Sequence, residues 1–124
     1  MSFIFAESRT KTCLVTAVGT NQVFPICRVK KGDLVVATAL RRTIPADGST
    51  DSTWQFALTT AGLLLGATID TEGTLNDVVG SSVSNFRVTA DDTLELRYVQ
   101  GTTDGATAPQ ARANAVVLKN KGDL

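Results

Sequence analysis

Asp91 and Asp92 stand side by side in "TADDT", and no two carboxylates lie closer together in this sequence. A shared acid–base task would need both side chains turned toward one substrate. Successive residues entering a strand point to opposite sides, so the pair is expected to diverge as two solvated turn residues. Histidine, the usual proton carrier near neutral pH, is absent from all 124 residues. Cys13 and Cys27 are too few to hold zinc unaided and have no company that would make either a nucleophile. They read as buried thiols rather than a disulfide. "DGSTDS", from Asp47 to Ser52, has oxygens at a spacing calcium could use, but it lacks the full loop and the closing bidentate glutamate of an EF-hand. It reads as a turn. "GSS", from Gly80 to Ser82, is expected to be a turn as well, because no serine sits in a "GxSxG" elbow. These residues predict a protein that is not an enzyme and uses no cofactor and no metal.

Basic residues are the other candidates. "RVKKGD" sets Arg28, Lys30 and Lys31 in one short span, expected to be a solvated turn. Twelve Lys and Arg balance twelve Asp and Glu, so the chain has no overall field to draw a polyanion. The few aromatic residues fall mostly on the apolar sides of their strands, not among the positive charges, and nucleic acid is not expected as a partner. Arg41 and Arg42 differ from the turn residues. They end a stretch that is otherwise apolar, so at least one is expected to be held against an acidic group. Trp54, in step with Phe56 and Leu58, reads as core rather than a sugar platform.

The elements that would position these residues follow a period of two almost everywhere. "KTCLVTAV" and "DLVVATAL" are apolar on both faces; in the second, Leu34, Val36, Thr38 and Leu40 share one side and Val35, Ala37 and Ala39 the other. "QVFPICRV" carries Pro25, which lacks a backbone donor and marks an edge or a bulge. "STWQFALT" places Trp54, Phe56 and Leu58 opposite Thr53, Gln55 and Ala57. "DTLELRYVQ" places Leu94, Leu96 and Tyr98 opposite a wet side with Glu95 and Arg97, and "SNFRVT" alternates likewise. "QARANAVVLKN" sets Ala111, Ala113, Ala115 and Val117 against Arg112, Asn114, Val116 and Leu118. Leu63 to Leu65, flanked by glycines, read as one short helical turn or a strand, of which the turn is the expectation. Residues 1–10 read either as a first strand, "SFIFAE", or as an extended arm carrying Phe3 and Phe5. About seven or eight strands separated by turns predict a single all-β domain over 1–124, a two-sheet β-sandwich of jelly-roll type. The apolar start is too short for a cleaved leader, and no stretch approaches the roughly 18 apolar residues of a membrane span.

The order "FPICRVKKGDLVVATALRRT", "IPADGST", "STWQFALTTAGLLLGAT" and "TADDTLELRYVQGTTDGATAPQARANAVVL" resembles the small jelly-roll cement or decoration proteins of tailed-phage capsids. That resemblance implies a structural protein on the exterior of a virion, assembled in the host cytoplasm. It would bind the major capsid protein and associate as a dimer or trimer; the apolar second faces fit such a homo-oligomer. Phe3, Phe5, Arg28, Lys30, Lys31, Arg41 and Arg42 are the candidate contacts. Head-completion, tail, receptor-binding and glycan-binding virion components are the alternatives.

Overall fold

The alternating segments form nine strands in the computed structural model, which describes residues 3–47, 50–81 and 85–120. In chain order these are β1 (Phe3–Leu14), β2 (Gln22–Val29), β3 (Leu34–Ile44), β4 (Thr53–Leu58), β5 (Leu63–Asp70), β6 (Val78–Gly80), β7 (Phe86–Arg87), β8 (Asp92–Val99) and β9 (Gln110–Asn120). The first sheet runs β1-β9-β3-β6, with β7 also paired to β3, and the second runs β2-β8-β4-β5. Every pairing is antiparallel. From β1 to β4 the chain changes sheet at each connection, and β4 and β5 then form a hairpin. This interleaved order is a jelly roll, as the spacing of strands and turns predicts. The described residues contain no helix long and apolar enough to cross a membrane.

The core lies between the sheets. Ala111, Ala113, Ala115 and Val117 of β9 and Val35 and Leu40 of β3 join Leu94, Leu96 and Tyr98 of β8 and Trp54, Phe56 and Leu58 of β4. Trp54 is fully buried, with the edges of Tyr98 and Phe24 against it at centroid distances of 5.8 and 6.2 Å. Such T-shaped contacts add to the area that the rings remove from water. Pro25 sits where the sequence places it: β2 is an edge strand, and its register slips between Pro25 and Cys27.

Three expectations are corrected. In β3 the register slips between Val35 and Ala37, so the side-chain phase changes along the strand. Val35, Thr38, Leu40 and Arg42 point inward, whereas Leu34 and Val36 are only half-buried. Leu63 to Leu65 open the edge strand β5 rather than a helical turn, pairing with Leu58, Ala57 and Phe56. Gly66 makes that strand possible. Its φ of +73° suits a bulge, and a Cβ there would run into the carbonyl oxygen of Ser81. The neighbouring Ala67 N–H donates to that oxygen at 2.8 Å, tying β5 to the edge of the first sheet. Of the two readings of residues 1–10 the strand is the one seen: β1 starts at Phe3 and pairs along β9 from Phe3–Asn120 to Leu14–Gln110. "KTCLVTAV" is strand only as far as Leu14; Val15 enters the core and Ala17 to Thr20 turn.

Candidate functional site

Antiparallel pairing decides which residues share a face, because directly opposed side chains project the same way. Thr12, Arg112, Arg41 and Val78 form one such row across β1, β9, β3 and β6. Thr10, Asn114, Ala39 and Gly80 form the next, and Ser8, Val116 and Ala37 the one after. All lie on the outer face of the first sheet. No strand position on this face is Asp or Glu. Arg41 and Arg112 are exposed and directly opposed, and neither guanidinium has an ion pair or hydrogen bond among the described residues. Beside them is a shallow hollow of about 350 Å³ lined by Thr10, Ala39, Leu40, Val78 and Asn114. Val78 is 69% exposed. The Asn114 amide donates to the Ser8 and Thr10 hydroxyls at 3.0 and 3.2 Å, which fixes the wall nearest β1.

The other candidate contacts are scattered. Arg41 points out, but its neighbour Arg42 is buried. The Arg42 Nε donates to the Asp70 carbonyl at 3.0 Å, and its Nη1 lies 3.9 Å from the Asp77 carboxylate. The expectation that one of the pair faces an acid holds for Arg42, which therefore is not presented to a partner. Arg28, Lys30 and Lys31 cluster at one end of the sandwich, all exposed. Their backbone is pinned by carboxylates: Lys30 N–H donates to Asp33 at 2.9 Å and Lys31 N–H to Asp91 at 2.9 Å. Gly32, with φ +91°, closes this turn. The Arg28 guanidinium reaches the Thr93 hydroxyl at 3.0 Å. Phe5, on β1, is 44% exposed; the side chain of Phe3 lies outside the described residues, as does Ser2.

Glu95 corrects a further expectation. Period two assigns it to the wet side of β8, yet it is 1% exposed on the outer face of the second sheet. Thr59 Oγ1 and Arg97 Nε both donate to its carboxylate, and Pro25 and Ala57 flank it on the neighbouring strands. Gln55 and Ala57, on the side of β4 opposite Trp54, are buried too, and the Gln55 amide donates to the Gly66 carbonyl at 2.8 Å. A hollow of about 370 Å³ lined by Val23, Pro25, Ile26, Cys27 and Arg28 adjoins Glu95.

The acidic pairs of the sequence fasten loops. Asp91 and Asp92 diverge as expected, but Asp92 is buried and accepts the N–H groups of Thr60, Ala61 and Thr93 at 2.7, 2.9 and 2.7 Å. Burial alone would raise its pKa; those three donors hold it below the ordinary value. Asp33, fully buried, is likewise lowered: desolvation is outweighed by the Lys119 ammonium at 2.7 Å and by the N–H groups of Lys30 and Asn120. At the opposite end Asp51 accepts Thr102 Oγ1 at 2.6 Å and Thr103 N–H at 2.9 Å, which bring its pKa down to about 2. Asp47 takes the N–H groups of Ala106 and Thr107 at 3.1 and 3.0 Å. The two acids of "DGSTDS" thus fasten loop 101–107; Gly48 and Ser49 between them are outside the described residues. Among the described residues no three His, Cys, Asp or Glu converge to hold a metal. Ser81 of "GSS" is buried rather than in an open turn, its hydroxyl bonded to that of Thr38, while Ser82 lies outside the described residues. Both thiols are free; burial pushes Cys13 up to about 12 and also raises half-buried Cys27.

Glu95 and the Arg41–Arg112 opposition were the features sequence reasoning missed. Arg112 lies 71 positions from Arg41 (112 − 41), and only the register of β3 with β9 brings them together.

No family model matches the chain, and no curated protein matches its sequence. Solved structures share its fold. One match, to a chain of the acidic stable capsid structure of Helicobacter pylori bacteriophage KHP30, has 8% identity and a TM-score of 0.63, covering 94% of this chain and 90% of the other. Another, to a chain of the cyanophage Pam1 capsid asymmetric unit, has 10% identity and a TM-score of 0.67, covering 93% and 85%.

Proposed function

We propose that this chain is a structural protein of a phage virion that decorates or cements the capsid exterior and works by contact alone. The observation that carries this reading is the jelly roll shared, over nearly the whole of both chains, with chains of two phage capsid structures. The surface chemistry supports it. Basic groups project at the Arg28–Lys31 end and from Arg41 on the outer face of the first sheet, with exposed apolar residues such as Phe5, Leu64 and Val78 available to be covered. Free Cys13 and Cys27 suit assembly in a reducing host cytoplasm. The partner in this reading is the major capsid protein, and a dimer or trimer of this chain would bridge its joints.

A site spanning a joint exists only after shell subunits meet. Each copy should therefore bind the assembled shell and not the free subunit, stabilising the shell by RT ln(1 + [L]/Kd) per occupied site. The test is to prepare particles without this protein, record the temperature at which they release DNA, and add it back. Release should shift upward on addition, with hundreds of copies bound per particle. Unchanged release, or about a dozen copies or fewer, would favour a tail or head-completion component instead.

A further inference from the structure

We infer that the outer face of the first sheet is a docking surface for an acidic, otherwise apolar segment of a different protein chain, with its carboxylate seated between Arg41 and Arg112. The inference rests on the contact role proposed above and adds which face binds and what chemistry binds to it.

The argument starts from a local penalty. Like charges directly opposed on neighbouring strands repel, and β3 and β9 hold two guanidiniums in that position. Elsewhere the chain supplies carboxylates to cations that are wholly or partly buried: Glu95 to Arg97, Asp33 to Lys119 and Asp77 to Arg42. On this face it supplies none. Two Arg forks side by side match the two oxygens of a carboxylate, and a guanidinium is less tightly hydrated than an ammonium, which favours pairing away from bulk water.

The surroundings select the class of partner. Next to the arginines the rows carry small uncharged side chains, Ala37, Ala39 and Val116 among them, with Val78 exposed at the rim; Arg87, opposite Leu34 on β7, is a further cation at the far end of the face. A phosphate backbone would find one arginine pair and a distant Arg87 on otherwise aliphatic ground, in a chain with no net charge. A polypeptide carrying one or two acids among apolar residues fits both features. A second copy stacked face to face is disfavoured, because it would set Arg41 and Arg112 against the same pair.

Two measurements test this. In the first, the full chain is titrated with fluorescein-labelled peptides of sequence TVDVEVT and TVNVQVT. Binding should favour the acidic peptide, weaken with salt, and fall about tenfold or more in the double variant Arg41→Glu, Arg112→Glu. Equal binding of the two peptides, or no change in the variant, overturns the inference. The variant must keep the wild-type circular dichroism spectrum and melt; if it does not, Arg41→Gln with Arg112→Gln replaces it. In the second, particles are assembled with a photo-crosslinking residue in place of Val78. The expected product is a peptide of another virion protein with an Asp or Glu near the link. Crosslinks to a second copy of this chain or to nucleic acid overturn the inference. If the peptide result holds but the chain does not occupy shells, the capsid role fails and the face remains an acidic-peptide site.

Discussion

The two outer faces of the sandwich treat arginine in opposite ways. On the second sheet Arg97 donates to Glu95 two residues away, and the carboxylate is sunk to 1% exposure between Pro25 and Ala57. On the first sheet Arg41 and Arg112 face each other with no acid on any neighbouring strand position. Both sheets are antiparallel throughout, so the sense of strand pairing does not explain the contrast. It lies in where the chain puts its carboxylates. A face that satisfies its own charges is finished as a surface, whereas one that opposes two like charges is completed only by something from outside. Net charge is silent on this, since twelve of each sign cancel over the whole chain while remaining unevenly placed.

The largest expected effect tests the premise that both faces rest on one core. Trp54→Ala removes a fully buried indole from between Phe24 and Tyr98 and should cost about 3 to 5 kcal/mol in urea denaturation. A loss below about 1 kcal/mol would mean the sheets are not coupled through Trp54, and the two faces would then not belong to one cooperative body.

Next comes Glu95→Ala, which leaves Arg97 and Thr59 without their acceptor and opens space in a buried position. A cost of about 2 kcal/mol is expected, less than for a fully enclosed pair because the Arg97 side chain is 28% exposed and can turn to water. Glu95→Gln keeps an acceptor for Thr59 and should recover part of the loss. Were Glu95→Ala neutral, the second face would not be held together by its ion pair and the contrast between faces would vanish.

Much of the fold was legible in the residues, and the part that was not has a common cause. The β4 pattern Trp54, Phe56, Leu58 alternates without interruption and lies in the core as read; the β9 pattern Ala111, Ala113, Ala115, Val117 alternates likewise, and that side also faces the core. In β3 the bulge at Val36 shifts the phase, which alternation cannot anticipate because every residue from Leu34 to Leu40 is apolar or Thr. Leu63 to Leu65 resembled a turn because an edge strand needs only Leu65 inward, and Gly66 marked the bulge rather than a stop. Glu95 was assigned to water because period two gives the side of a strand, not what covers it. The candidate site was the least legible part. Arg41 was singled out, but its partner Arg112 is set by strand pairing, and adjacent Arg42 turned out to serve the loop at Asp70 and Asp77.

Acid should separate carboxylates held by this chain from one supplied by a partner. Asp33, Asp51 and Asp92 all have folded pKa values below the ordinary 3.8, Asp51 at about 2. A depressed folded value means the stabilisation is present above the unfolded value and is lost as pH falls through the folded one. The melting temperature of the isolated protein should therefore be level from pH 7 to about 5 and drop between about pH 4 and 2. Asp51→Asn should make the lowest part of that drop shallower. A melting temperature that rises on acidification would show that these carboxylates are not engaged as described. Peptide binding to the first face, by contrast, should weaken near the ordinary carboxylate pKa, because the titrating acid belongs to the peptide and is free before it binds.

The smallest effect carries the opposite sign. Arg41→Met or Arg112→Met keeps an unbranched stem over the neighbouring strand while removing one of two opposed charges, so the isolated protein should be unchanged or more stable by a few tenths of a kcal/mol. Low salt should enlarge the gain and high salt erase it, since both guanidiniums are exposed and their repulsion is screened. Converting both should gain less than twice the single change, because the first substitution already removes the repulsion the second would relieve. Urea midpoints at two salt concentrations give the measurement. A loss of about 1 kcal/mol or more from either single change would mean that an acceptor within this chain engages the guanidinium. The first face would then be self-satisfied like the second. A null or favourable result in the isolated protein, joined to weaker binding of the acidic peptide, would place the value of these two arginines outside the folded chain.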